Sequence, residues 1–216
     1  RLASASGDVS RSACKRNRLP TKTAASDLVK KANASLCRSL CSNGINSAST
    51  PSGVVEVVRL LDRAKKLMRD SAFVDFGCSV GSVCFYVAKR FGCRVIGIEK
   101  DAQAFALAEQ ALNGVDIGLR RLCRFILDDF VNAVDEQFLL CNGVTHIFAY
   151  DAVFTPHTWH QLFNVLARGP PIVEVSCAKK RECRLPESFA LIDKSAKPIG
   201  LSGSPSKFKV ISWKNF

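Results

Sequence analysis

The chain has 216 residues, 47% of them hydrophobic, and a formal net charge of +12. That length suits one α/β domain with a modest extension and a sizeable core. No apolar run approaches the roughly 18 residues that span a bilayer, and no signal-peptide pattern is seen, so a soluble protein is expected.

Ten cysteines would fit a disulfide scaffold in a small secreted protein. Cys78, Cys84, Cys93, Cys123 and Cys141, however, lie inside or beside apolar segments, where a free thiol behaves as a small hydrophobe. The closest pair, Cys37 and Cys41, lacks Cys-x-x-Cys spacing, and His157 and His160 have no cysteine or carboxylate ligand pair close in sequence. The expectation is a reduced intracellular protein without metal.

The positive charge is unevenly placed. Residues 1–41 carry +7 and residues 177–216 carry +6, whereas 42–176 carry −1. Solubilising surface charge is one reading. The sharper one is a neutral catalytic domain with basic arms for a polyanion, through Lys15, Arg16, Arg18, Lys30 and Lys31 on one side and Lys179, Lys180 and Arg181 on the other.

In chain order, residues 1–24 read as a basic flexible arm and 25–70 as a helical extension. Ser26 and Asp27 offer a cap for a first helix. Pro51 fits the first turn of a second, with Val54, Val57, Val58, Leu61, Ala64 and Met68 on one face. From 71 to 216 the pattern alternates. "AFVDF" predicts a strand, "SVCFYVAKRF" a helix, "RVIGIE" a strand and "DAQAFALAEQAL" a helix. "CRFIL" follows as a strand, "VNAVDEQFLL" as one helix, "VTHIFAY" as a strand, "PHTWHQLFNVLARG" as a helix and "PIVEVS" as a fifth strand. Such alternation predicts a mostly parallel, Rossmann-like sheet covered on both faces. "SFALID" and "KFKVISW" predict an antiparallel hairpin added at its edge.

"VDFGCSVGS" (Val74–Ser82) has the G-x-S-x-G spacing of a serine-hydrolase nucleophile elbow, with Ser79 as the nucleophile. An elbow lies in mid-sheet with strands before it. Here "AFVDF" is the first strand, and no oxyanion segment precedes it. As a cofactor turn the same residues explain more. Gly77 and Gly81 permit a tight turn and close backbone approach to a ligand, with Ser79 replacing a glycine. Glu99 ends the second strand, where a carboxylate can bond both hydroxyls of a ribose. Asp75 disfavours a pyrophosphate and suits a cofactor with an amino group and a sulfonium. Asp128, Asp129 and Phe130 end the third strand, able to meet adenine with a polar acceptor and an aromatic face. Together they point to S-adenosylmethionine.

These motifs resemble the Dot family (disruptor of telomeric silencing) of class I methyltransferases, which methylates a lysine in the globular core of histone H3. "FVDFGCSVGS" is similar to its first motif, "GIEK" (Gly97–Lys100) to its G-V-E-K stretch, and "DDF" to its G-D-F. "YDAVFTPHTWHQL" (Tyr150–Leu162) is similar to N-N-F-A-F-G-P-x-x-x-H-Q-L, and "SGSPSKFKVISW" to a serine-rich C-terminal hairpin. The chain departs from the family at Tyr150-Asp151, where an Asn-Asn stands, and lacks its Tyr-Gly-Glu turn in "INSAST". The resemblance implies a divergent, monomeric nuclear enzyme that takes S-adenosylmethionine to its homocysteine product without metal. It implies a nucleosome partner, histone H3 and DNA, engaged through the basic flanks. Lys100 joins the cofactor set, and Tyr150, Asp151 and Phe154 are expected at the reacting amine; Trp159 reads as core. A methyltransferase of RNA or another protein, and an inactive nucleosome-binding module, remain open alternatives.

Overall fold

The computed structural model describes residues 54, 57–59, 61, 67–150 and 154–169, and the backbone of the later strands at 174–177, 189–194, 199–200, 207–208 and 211–215. The arm 1–24, most of the extension 25–70, Asp151 and the basic residues of both flanks lie outside the described residues. Elements follow as β1 (Ala72–Phe76), α1 (Ser82–Phe91), β2 (Arg94–Glu99), α2 (Ala102–Asn113), α3 (Ile117–Arg120), β3 (Cys123–Leu127), α4 (Phe130–Ala133) and α5 (Glu136–Cys141). Then come β4 (His146–Ala149), α6 (Pro156–Arg168), β5 (Glu174–Cys177), β6 (Phe189–Lys194), β7 (Ile199–Gly200), β8 (Lys207–Phe208) and β9 (Ile211–Asn215).

Seven strands form one sheet in the order β3-β2-β1-β4-β5-β9-β6, and β7 and β8 pair separately. The first five are mutually parallel, while β9 lies antiparallel between β5 and β6. The expected mostly parallel sheet with an antiparallel hairpin is therefore the observed one. The order reverses at β1, so the carboxyl ends of β1, β2, β3 and β4 open onto a common crevice.

Strand side chains alternate between two cores, one on each face. Phe73, Val95, Phe125 and Phe148 join Cys84, Tyr86 and Val87 of α1, and Val54, Val57, Val58 and Leu61 pack into this same cluster. On the other face Val74, Phe76, Ile96, Ile98 and Ile147 meet Phe130, Leu139, Trp159, Leu162 and Leu166. Burial on both faces explains the near-continuous apolar strands, and each such side chain contributes about 1.5–3 kcal/mol. Among the described residues no helix is long and apolar enough to cross a membrane.

Two expectations need correction. The single helix over 131–140 is two short ones. Buried Val134 is extended (φ −111°, ψ 109°), and Asp135 then caps a new helix by accepting from Phe138 N at 2.6 Å. An aspartate that can bond a backbone N–H three residues on favours a cap over a helix interior. Of the five cysteines placed with the core, Cys78, Cys84, Cys93 and Cys123 are buried but Cys141, in the last turn of α5, is exposed.

Candidate functional site

The site begins at the turn between β1 and α1. Gly77 N and Cys78 N both donate to Ile98 O, at 2.9 and 3.1 Å, and Gly81 N donates to Cys78 O at 2.9 Å, which stitches the turn to the end of β2. Gly77, Ser79 and Gly81 all have positive φ (75°, 51° and 74°), and Ser79 is the one non-glycine among the described residues to do so. This conformation aims Ser79 N at Glu99 Oε2, 2.8 Å away, while Glu99 Oε1 accepts from Asp101 N at 2.8 Å. Two backbone donors thus fix the half-buried carboxylate at the carboxyl end of β2, with lone pairs left for hydroxyl donors.

Gly81 serves the turn differently from expectation. A Cβ there would overlap the Phe125 ring and stand 3.3 Å from Phe85, so the missing side chain admits β3's aromatic rather than a ligand. Gly77 leaves open space at the pocket. It lines the pocket described below, and a Cβ built on it meets nothing within 4 Å.

At the end of β3, Asp128 N donates to Glu99 O at 3.0 Å, which joins the two strand ends. Asp129 caps α4 through Val131 N at 3.2 Å and pairs with Lys100 Nζ at 3.4 Å across the mouth. Phe130 stacks on Phe76 (centroids 4.7 Å, 5° between planes) and on Phe154 (4.9 Å, 28°), and is 8% exposed. Little of its ring is free, so it builds the floor rather than offering an open face to adenine. The aromatic row continues through Phe154, Trp159 and Phe163. Trp159 is buried in the core, as expected.

These groups enclose a cavity of about 520 Å³. Gly77, Glu99, Lys100, Asp129, Phe130, Tyr150 and Phe154, all named from sequence, line it. So do Phe76, Ile98, Asp101, Thr155 and Thr158, which sequence reasoning missed. Thr155 left a readable signal. It precedes Pro156 as the cap of α6, accepting from Thr158 N at 3.1 Å. Its exposed hydroxyl and that of Thr158 lie 2.9 Å apart at the pocket wall.

Asp75, Ser79 and Gly81 stand behind the pocket rather than in its lining. Asp75 is 3% exposed and accepts from the Cys84 thiol at 3.6 Å. Burial pushes its carboxyl up to about 7, the Cys84 hydrogen bond opposes that, and the charge on Glu99 adds to it. Burial likewise raises the thiols of Cys78 and Cys84, which makes them structural rather than reactive.

The lining fits an adenosine cofactor. The volume lies within the ~300–1,000 Å³ of small-molecule sites. A fixed carboxylate with lone pairs left for hydroxyl donors stands in its wall, with an apolar floor and acidic residues beside it. Among the described residues no group of histidine, cysteine and acidic side chains is arranged to hold a metal ion.

Comparison with known proteins agrees with this geometry. The family model described as Histone methylation protein DOT1 matches residues 54–169. No protein of curated function matches the chain in sequence. Among solved structures it is similar to TrmN from Thermus thermophilus, with 21% identity and a TM-score of 0.53, over 76% of this chain and 49% of that one. The chain thus spans about half of that protein. It is also similar to an RNA methyltransferase from Salinibacter ruber in complex with S-adenosyl-L-homocysteine (21% identity, TM-score 0.51, 74% and 89% covered). A third is the tRNA methyltransferase TrmK of B. subtilis (14% identity, TM-score 0.51, 73% and 65% covered). At these identities the likeness shows the class I methyltransferase fold.

Proposed function

We infer the function from one premise: the chain belongs to the histone methylation protein DOT1 family. It is an S-adenosylmethionine-dependent methyltransferase, and the reading we propose beyond that is transfer of a methyl group to a lysine in the nucleosomal core of histone H3. One observation carries this. All the residues that line the cavity, from Phe76 to Thr158, fall inside the stretch matched by the family model.

When bound, S-adenosylmethionine supplies a methyl carbon already activated by a cationic sulfur. Glu99 would hold the ribose hydroxyls, Asp128 and Asp129 the adenine edge, and the turn at Gly77 the aminoacyl end. Little further chemistry is asked of the protein than to orient an amine and exclude water. The acceptor lysine must shed its proton to solvent before its nitrogen can form the new bond. An apolar channel favours the neutral amine, so no dedicated base is needed. Tyr150, 8% exposed, and Phe154, stacked on Phe130, supply such walls at the carboxyl end of β4. Asp151, next in the chain, carries the acceptor oxygen of the family's asparagine with an added charge. Asp151→Asn should retain more transfer than Asp151→Ala, because a lost transition-state contact typically costs about 10²–10³-fold in rate. Wild-type turnover by Asp151→Ala would remove the residue from the site.

The basic flanks, with Lys15, Arg16, Arg18, Lys30, Lys31, Lys179, Lys180 and Arg181, would hold nucleosomal DNA or acidic histone surface in the nucleus. The direct test is radiolabelled methyl transfer to intact nucleosomes, free histones and RNA in parallel. Label on histone H3 lysine, strongest with nucleosomes, is the expected result. Label on RNA, or on another protein only, would overturn the substrate assignment while leaving the cofactor pocket in place.

A further inference from the structure

The near-neutral middle of the sequence is polarised in space. The carboxyl ends of the strands gather Glu99, Asp101, Asp128 and Asp129, with Lys100 as the nearby base. The opposite, amino-terminal ends gather Arg69, Lys89, Arg94, Arg120, Arg121 and Arg124, all exposed. Their adjacency follows from the fold. Arg94 opens β2, and Val95 N donates to Leu122 O at 2.8 Å, which sets Arg94 beside the Arg120–Arg121 turn. Arg124 pairs in register with Ile96, one step along the same strand face as Arg94. The Arg69 guanidinium lies against Gly92, which caps the end of α1 just beyond Lys89. Asp70 and Asp116 are the acids among them, and Asp116 is engaged in capping α3.

None of the six has an ion-pair partner among the described residues, where the ion pairs formed are Lys100–Asp129 and Arg168–Glu136. Like charges gathered at one pole repel one another, a cost that an anionic partner removes. The chemistry of that partner is constrained. Arginine dominates, and its planar fork suits phosphate oxygens. The exposed large apolar side chains among the described residues are Met68, Ile117, Leu127 and Leu140, with no aromatic among them. The half-buried Phe91 at this pole carries the Arg90 guanidinium over its ring, 5.5 Å from the centroid, so among the described residues it offers no open platform for the bases of a single strand. Met68 and Ile117 stand on separate elements rather than along one amphipathic helix face of the kind that enters a membrane.

We propose that this amino-terminal pole is a docking surface for the phosphate backbone of a DNA duplex, built from residues other than those of the basic flanks. The choice of DNA over RNA rests on the histone reading above; the preference for a duplex does not. Arg94 and Glu99 stand at opposite ends of β2, about 16 Å apart at ~3.3 Å per residue. A duplex docked here would meet the pole opposite the cofactor crevice.

The test is fluorescence anisotropy of the full chain on a labelled DNA duplex, with salt varied around 150 mM. The parent is compared with Arg120→Gln/Arg121→Gln/Arg124→Gln and with a flank variant, Lys15→Gln/Arg16→Gln/Arg18→Gln. Each lost phosphate contact lowers the slope of log K against log salt by about 0.9, so the pole variant should lose about 2.7 in slope and at least about tenfold in affinity. S-adenosylhomocysteine affinity and melting temperature should stay at parent values. The triple arginine-to-lysine variant, which keeps the charge, should retain most of the binding. DNA affinity and slope unchanged in the pole variant, with all the loss in the flank variant, would overturn the proposal. So would tighter binding to duplex RNA or to phosphatidylserine vesicles than to DNA. Because no methyl transfer is read, failure of the histone assignment shows in the labelling assay and is distinguishable from failure of this surface.

Discussion

Ser79 holds a φ of 51°, a conformation that costs a non-glycine residue roughly 1–2 kcal/mol. The strain persists because its N–H, at 2.8 Å, is one of the two donors that fix Glu99. Glycine keeps that donor and removes the penalty. Ser79→Gly should therefore raise the stability to urea by about 1 kcal/mol and leave methyl transfer intact, whereas a hydrolase nucleophile would be lost with it. Asp75 gives a second prediction. Its ordinary value of 3.8 rises to about 7 in the fold, so between those values the native state binds a proton that the unfolded chain lacks. Stability from this group is therefore highest below pH 4 and is lost as pH climbs towards 7, by an amount on the order of a few kcal/mol. Asp75→Asn, neutral throughout, should melt progressively higher than the parent as pH is raised from about 4 to 7, the gap levelling off above that, where both states have lost the proton. A constant gap would show that Asp75 is not the group that titrates.

At the level of elements, caps decide where helices begin, and they also decide what the sequence reveals. Asp101, Asp116, Asp129, Asp135 and Thr155 each accept from a backbone N–H at a helix start. The strands and the longer helices were legible because their apolar periods persist over several residues. The break at Val134 was not, because "VNAVDEQFLL" keeps a helical period across it, which the Asp135 cap and the burial of Val134 override. The pocket was half legible for a similar reason. Glu99 and Phe130 announce themselves by standing at strand ends, whereas Thr155 and Thr158 enter the wall only because α6 packs across the end of β4. Thr155→Ala should cost about 1 kcal/mol, read as a lower melting temperature, through loss of the cap to Thr158 N. Thr155→Ser, which keeps the oxygen, should restore it. Equal losses in both variants would assign the effect to the methyl group instead.

Across the whole molecule, sequence arithmetic sees charge per segment and not per surface. That is why residues 42–176 sum to −1 although the structure separates an acidic pocket pole from a basic opposite pole. The parallel sheet produces the separation: each strand begins at one pole and ends at the other, so charges a few residues apart in sequence face opposite ways. The same topology brings Gly77, Glu99, Asp128 and Tyr150, from four strand ends, to one crevice. That this crevice holds the methyl donor, with Glu99 as its ribose anchor, is the claim on which the rest depends. Calorimetry with S-adenosylhomocysteine tests it most directly. The parent should bind, and Glu99→Ala, provided it remains folded by circular dichroism, should bind about 10- to 100-fold more weakly, the cost of about 1–3 kcal/mol for two lost hydrogen bonds to a charged group. Equal affinity in parent and variant would contradict the account and move the cofactor out of this pocket.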